Sequence, residues 1–281
     1  MTVGGFYRVL RDALSPIAGE AASYEAKDIL GAVLDVPERE LTFLLHSEKE
    51  ISDEAQKTAA LLLERRKKRE PLEYILGYAW FYGYRFGVSA DCLIPQADTE
   101  IVCERVISRL KNGGCFADIC TGSGCIALAA LLETKETTAI GYDISKGALA
   151  IAMKNAEAFG ISHRFEALQA DVFASDFLEG AGKFDLIVSN PPYIETAVIE
   201  TLSPEVQNEP HIALDGGADG LAFYRRLLEI CPSHIKKGGV LLMEIGYNQR
   251  NALASLCEAK GFSHEFYRDF GGNDRVCAVF L

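Results

Sequence analysis

Positive charge is scarce in this chain: 28 Lys and Arg stand against 40 Asp and Glu in 281 residues, a net charge of −12. Binding to bulk nucleic acid is dominated by neutralising phosphates with basic side chains, so this balance argues against a protein that coats DNA or RNA. Long apolar runs are also missing. Nothing approaches the ~18 consecutive apolar residues of a membrane span, and Met1-Thr-Val-Gly-Gly-Phe-Tyr-Arg-Val-Leu10 has neither the basic start nor the long apolar core of a secretory leader. The expectation is a cytoplasmic protein with no membrane contact and no direct nucleic-acid partner. Eight cysteines occur, at 92, 103, 115, 120, 125, 231, 257 and 277, but none forms a Cys-x-x-Cys pair. Most sit in apolar patterns and read as small buried hydrophobes, so neither disulfides nor a metal are expected.

What is present is the composition of a soluble globular protein, 49% hydrophobic and 24% charged. The length allows one large domain, or a large and a small one. Residues 1–72 carry only helical stripes, such as Phe6, Val9, Leu10, Ala13 and Leu14, then Ala26, Ile29, Leu30, Val33 and Leu34. About four helices are expected there, one beginning at Ser52. The run Glu64-Arg-Arg-Lys-Lys-Arg-Glu70 reads either as the solvated end of a helix or as a docking patch for an RNA-bearing or acidic partner.

Residues 73–95 change to aromatics and glycines, Gly77-Tyr-Ala-Trp-Phe-Tyr-Gly83-Tyr-Arg-Phe-Gly87, which predicts a β-hairpin linker. A helix opens next, capped by Asp98 or Thr99. Residues 96–281 then alternate strands near 115–120, 137–143, 164–171, 183–190, 238–246, 263–269 and 274–281 with helices near 124–133, 146–159, 217–234 and 248–260. That alternation predicts an α/β fold with a mainly parallel, seven-stranded sheet covered on both faces. Phe270-Gly-Gly-Asn273 is short enough for a hairpin, so one strand runs antiparallel and the sheet is mixed.

Two stretches carry the chemistry. In Phe184-Asp-Leu-Ile-Val-Ser-Asn-Pro-Pro-Tyr193 a buried strand runs into an amide, two prolines and a ring. The prolines stiffen the loop and hold Asn190 extended. The Asn190 side-chain oxygen and the Pro191 carbonyl could accept both N–H bonds of a planar NH2 group, with Pro192 and Tyr193 completing a slot and the ring packing on the group's face. Asn-Pro-Pro could also be no more than a turn. The second stretch, Asp118-Ile-Cys-Thr-Gly-Ser-Gly124, lets a backbone approach a ligand where a helix begins. With Ala127 its spacing also fits a dinucleotide loop, a weak signal taken singly. Asp118, however, would repel a pyrophosphate and suits a cationic ligand such as S-adenosylmethionine. Asp143, at the end of the second strand, is placed for ribose hydroxyls. Asp171 is placed for an adenine amino group, flanked by Val172 and Phe173. Any one of these acids could be a helix cap.

Taken together, these motifs resemble the PrmC/HemK family of class I (Rossmann-like) S-adenosylmethionine-dependent methyltransferases, which modify the glutamine of the Gly-Gly-Gln motif in peptide chain release factors. The resemblance extends to Glu70-Pro-Leu-Glu-Tyr-Ile-Leu-Gly77, Ile94-Pro-Gln-Ala-Asp-Thr-Glu100, Glu209-Pro210, Ala213-Leu-Asp-Gly-Gly217, Asp219-Gly-Leu221 and Asp274-Arg-Val276. It implies a helical domain at 1–72 that docks the release factor and a methyltransferase domain at 96–281. It implies cofactor contacts from Asp118, Cys120, Thr121, Gly122, Ser123, Gly124, Asp143, Asp171, Val172 and Asn190. Asn190, Pro191 and Tyr193 would be catalytic, and together with Pro192 would bind the glutamine. The chain departs from the family's usual pattern at Gln96-Ala97, Cys120, Val172 and Asn208. The Asn-Pro-Pro-Tyr signature is shared with enzymes acting on exocyclic base amines of DNA or RNA, and a ribosomal-protein glutamine is a further substrate. A non-catalytic module that only binds the cofactor would carry the same loop.

Overall fold

A computed structural model describes all 281 residues, which divide into two compact units. The first comprises Met1–Gly77 together with Ser203–Asn208. It contains helices α1 (Val3–Ala18), α2 (Ala22–Leu34), α3 (Glu38–Leu45), α4 (Asp53–Lys67) and the short α5 (Leu72–Leu76), and the one-turn helix Pro204–Gln207. Thr2 and Ser52 cap α1 and α4 by accepting from the amides of Gly5 and Ala55. The apolar stripes meet in one core built on Phe6, Leu10, Leu14, Ile29, Leu30 and Leu63.

The basic run at the end of α4 is solvated at Arg65, Lys67 and Lys68 and internal at Arg66. Arg66 is buried and gives a two-pronged contact to Glu25, at 2.9 and 3.0 Å, and a further bond to Glu205 at 2.9 Å. Arg69 also bonds Glu205, while Arg65 pairs with Glu70 and Lys67 with Glu64. Glu205 stays below the usual carboxylate range although burial opposes this, because Arg66 and Arg69 stabilise its charge. Charge count along the sequence could not show that Arg66 and Arg69 share Glu205 as a partner.

The second unit comprises Tyr78–Leu202 and Glu209–Leu281. Its hairpin, β1 (Tyr78–Phe81) and β2 (Tyr84–Gly87), is followed by α6 (Glu100–Leu110), β3 (Gly114–Ile119), α7 (Cys125–Glu133), β4 (Thr137–Asp143), α8 (Lys146–Ala158), β5 (Phe165–Gln169) and β6 (Phe184–Ser189). Then come α9 (Ala222–His234), β7 (Ile235–Glu244), α10 (Arg250–Ala259), β8 (Ser263–Arg268) and β9 (Asp274–Phe280). The expected seven-stranded mixed sheet is present, in the order β5-β4-β3-β6-β7-β9-β8, with β9 antiparallel to both neighbours.

Both faces of the sheet are covered, which is why its central strands read as unbroken apolar runs. Phe116, Leu186, Val188, Val240 and Leu242 face a core shared with α6, α7 and α8. The alternate residues Ala117, Ile187, Leu241 and Met243 face a core shared with α9 and α10. Order reverses between β3 and β6, so a crevice opens beyond their carboxyl ends, where ligands bind in open α/β sheets.

Some boundaries differ from the periodicity. Strand β5 stops at Gln169, its last ladder bond running from the Ala170 amide to the Asp143 carbonyl at 3.0 Å. Helix α9 begins at Ala222 rather than near 217, since Gly217 and Gly220 hold left-handed conformations that break a helix. Strand β7 starts at Ile235, paired with Phe184 across a register shift that the Lys-Lys-Gly-Gly sequence disguised.

Candidate active site

A cavity of about 320 Å3 in the second unit lies at the carboxyl edge of the sheet. Loops after β3, β4, β5 and β6 supply Cys120, Thr121, Gly122, Ser123, Asp143, Asp171, Val172, Asn190 and Pro192 to its wall. Nine of the residues singled out in the sequence are thus brought together by four successive strand ends. The size lies within the range of small-molecule sites.

The glycine loop is built around two carboxylates. Asp143 accepts from the Gly122 amide through Oδ2 and from the Ser145 amide through Oδ1, each at 2.9 Å. Burial raises its titration above the ordinary aspartate value, opposed by these backbone bonds. Gly122 is left-handed, with open space where a Cβ would stand, so the backbone itself faces the cavity. The Ser123 hydroxyl is buried without a hydrogen-bond partner. Cys120 adopts a φ of 62°, a conformation that strains any side chain with a Cβ.

Asp118 is not on the cavity wall. It is 1% exposed, accepts the Thr121 hydroxyl at 2.8 Å, and its other oxygen has no partner. Burial pushes its carboxyl up to about 7. Its direct contact is with the loop, not with whatever fills the cavity. Gly124 is likewise behind the wall, as the left-handed residue preceding α7.

Asp171 is exposed, accepts the Phe173 amide at 2.8 Å, and so shapes the turn that presents Val172 and Phe173. Arg226 of α9 secures the same turn by bonding the Val172 and Ala174 carbonyls at 2.9 and 2.7 Å. Phe173 packs edge-on against Phe223, and both line the cavity.

In the Asn-Pro-Pro-Tyr loop, Asn190 and Pro192 reach the wall, whereas Pro191 and Tyr193 do not. Pro191 is buried. The Tyr193 hydroxyl stands 3.4 Å from Oε1 of Glu244, and burial with that carboxylate raises the phenol's titration. Tyr193 is half-buried, with its hydroxyl turned to Glu244, and it does not line the cavity. The Tyr193 carbonyl is held by Gln249 Nε2 at 2.9 Å, and Gly216 packs so closely that a Cβ there would fall 2.7 Å from the Tyr193 Cα. The Ala213-Leu-Asp-Gly-Gly217 motif is thus a brace for the loop, joined to it by Ile194–Leu214 and Gly216–Ile194 backbone bonds of 3.0 and 2.8 Å.

Other contributors were not legible. Asp91, Cys92, Leu93, Ile94 and Pro95, counted with the linker, and Gln96 just after it form one side of the cavity. Glu209 anchors that side by accepting the Ile94 amide at 2.9 Å. Buried Asn155 of α8 bonds both the Gly87 backbone and the Ser123 carbonyl, pinning the hairpin to the glycine loop. An Asn on a helix face otherwise formed by Ala148, Leu149, Ala152 and Ala156 was the available signal.

Comparison with known proteins fits this geometry. Residues 97–217 match the model of the methyltransferase small domain, and residues 8–77 that of the PrmC N-terminal domain. The release factor glutamine methyltransferase of Geobacter sulfurreducens is 39% identical over 261 residues, covering 92% of this chain and 89% of that protein. The chain belongs to the release factor glutamine methyltransferase family. The Caulobacter vibrioides member is 35% identical over 280 residues, 98% of this chain and 95% of its own. A methyltransferase of Pyrococcus furiosus shares the fold, with a TM-score of 0.53 and 18% identity over 80% of this chain and 98% of that one. Membership makes the chain a methyltransferase.

Proposed function

We propose that this enzyme transfers a methyl group from S-adenosylmethionine to the side-chain amide nitrogen (N5) of the glutamine in the Gly-Gly-Gln motif of peptide chain release factors. One observation carries the reading: Asn190 stands on the wall of the same cavity as the glycine loop, Asp143 and the Asp171 turn.

The cavity suits the cofactor on its own terms. Asp143 retains lone pairs beyond its two backbone bonds for vicinal hydroxyls. The Asp171–Phe173 turn offers a carboxylate beside apolar and aromatic surface for a purine. The open backbone at Gly122 and the unpartnered Ser123 hydroxyl offer polar groups nearby. When bound, the cofactor supplies an electrophilic methyl on a sulfonium. Asp118 lies one layer behind and adds negative field once ionised.

The protein's task is positioning. An amide nitrogen is a weak nucleophile because its lone pair is delocalised into the carbonyl. Asn190 Oδ1, and the Pro191 carbonyl as the chain turns, accept the N–H bonds of the incoming glutamine and aim its nitrogen. Such orientation can supply ~7–11 kcal/mol of barrier reduction. No basic side chain is required, since the product nitrogen can release its proton to water. Tyr193 acts by holding the loop through Glu244. The N-terminal helical unit is assigned to docking the release factor.

The test is direct. Protein, S-adenosylmethionine and a purified release factor are mixed, and the Gly-Gly-Gln peptide is weighed by mass spectrometry. One added methyl is expected; an unmodified peptide, or methylation of nucleic acid instead, overturns the assignment.

A further inference from the structure

A carboxamide has a donor end and an acceptor end of nearly equal size, so packing cannot decide which way round Asn190 stands; only its hydrogen-bond partners can. In this structure Asn190 Nδ2 lies 3.4 Å from Oγ1 of Thr99, which is 1% exposed. The Thr99 hydroxyl in turn is near enough to favour the charged form of Glu244, a carboxylate at the end of β7 that is 2% exposed. Tyr193 donates to Glu244 Oε1, and Oε2 has no hydrogen-bond partner. Glu244 belongs to none of the motifs that carried the sequence reading, and Thr99 entered it only as a helix cap within Ile94-Pro-Gln-Ala-Asp-Thr-Glu100.

We propose that Thr99 and Glu244 are positioning residues that set the polarity of the Asn190 amide. An ionised carboxylate can only accept hydrogen bonds. The Thr99 proton is therefore directed to Glu244, a Thr99 lone pair is left toward Asn190, and the Asn190 NH2 is bound there. Its oxygen is then the end presented to the cavity. The inference rests on the proposed function in one respect: an inward-facing oxygen is useful only if the incoming group brings N–H bonds.

The same relay carries a pH response. The charged and titratable groups around Glu244 are Arg275, Asp98, Tyr193, Tyr224 and Cys125. Arg275 is shared with Asp269 and Asp98, at 3.1 and 2.9 Å, so it does not lock Glu244 in the ionised form. Burial pushes Glu244 up to about 7, opposed by the Thr99 hydroxyl, Arg275 and Tyr193. A protonated Glu244 donates to Thr99, which can then donate to Asn190 and turn the amide over. The NH2 would then face a substrate NH2, and turnover falls as pH drops through this titration.

The test reads Asn190 without needing a substrate. The side-chain 15N–1H2 resonances of Asn190, assigned by their loss in Asn190→Asp, are followed between pH 5.5 and 8.5. They should shift with a midpoint near that of Glu244, and the shift should vanish in Thr99→Val and Glu244→Gln. In turnover, Thr99→Val should lower kcat roughly ten-fold, about the worth of one hydrogen bond, with cofactor Kd unchanged. Thr99→Ser should restore it, and Glu244→Gln should abolish the acid limb. Resonances that ignore pH, or that titrate alike in wild type and Thr99→Val, overturn the relay. A titrating Asn190 in an enzyme inert toward release factor leaves the relay standing and overturns the substrate instead.

Discussion

Oδ2 of Asp143 accepts the Gly122 amide at 2.9 Å, so the glycine loop and the acid expected to bind the ribose hold one another in place. Neither can be changed without moving the other, and the cavity's perturbations follow from that coupling.

Asp143→Asn should weaken cofactor binding. It removes a charge that stabilises two backbone amides and the hydroxyls of a bound nucleoside, and hydrogen bonds to charged groups are worth about 1.5–3 kcal/mol. A rise in cofactor Kd of roughly ten- to a hundred-fold in isothermal titration is expected; an unchanged Kd would place the ribose elsewhere.

Asn190→Ala should separate binding from chemistry. Turnover should fall by about 10²-fold or more as nitrogen positioning is lost, while cofactor Kd moves within a few-fold. Single-turnover kinetics alongside equilibrium binding would check both arms.

Cys120 is a non-glycine residue held at a φ of 62°. Cys120→Ala removes the thiol and keeps the strained backbone; Cys120→Gly removes both. The glycine variant should be the more stable of the two by about 1 kcal/mol in urea unfolding. Equal stability would mean that the loop carries no strain there.

Arg66 is the shared partner of Glu25 and Glu205. Arg66→Ala leaves two poorly solvated carboxylates facing each other, and breaking such a pair costs about 3–5 kcal/mol. Denaturation of the full chain, followed by the helical signal, should show an early loss of the N-terminal unit.

Asp118 and Glu244 titrate near 7 because burial disfavours their charged forms, against about 4 in an unfolded chain. Between about pH 4 and 7 the folded state keeps protons that the unfolded state has released. The contribution of these two groups to stability is therefore highest below that window, declines as pH rises through it, and levels off above about 7. Asp118→Asn should flatten part of the decline in unfolding free energy measured from pH 4.5 to 8. An identical decline in the variant would show that Asp118 titrates normally.

Short-range pattern accounts for what was legible from the chain alone. The apolar runs of β3, β6 and β7 announce strands covered on both faces, and the glycine loop and Asn190-Pro-Pro-Tyr193 announce strand-end chemistry, because each depends on neighbours a few residues away. Tertiary structure decided which of those residues meet the cavity: Asn190 and Asp143 do, while Asp118 and Tyr193 turn to partners behind it. It also supplied the partners themselves. Thr99 meets Asn190 across 91 positions of sequence, and Arg66 meets Glu205 across 139. A hydroxyl or a carboxylate acquires its orientation and its proton affinity from burial and from such distant contacts, and no local pattern of residue types encodes either.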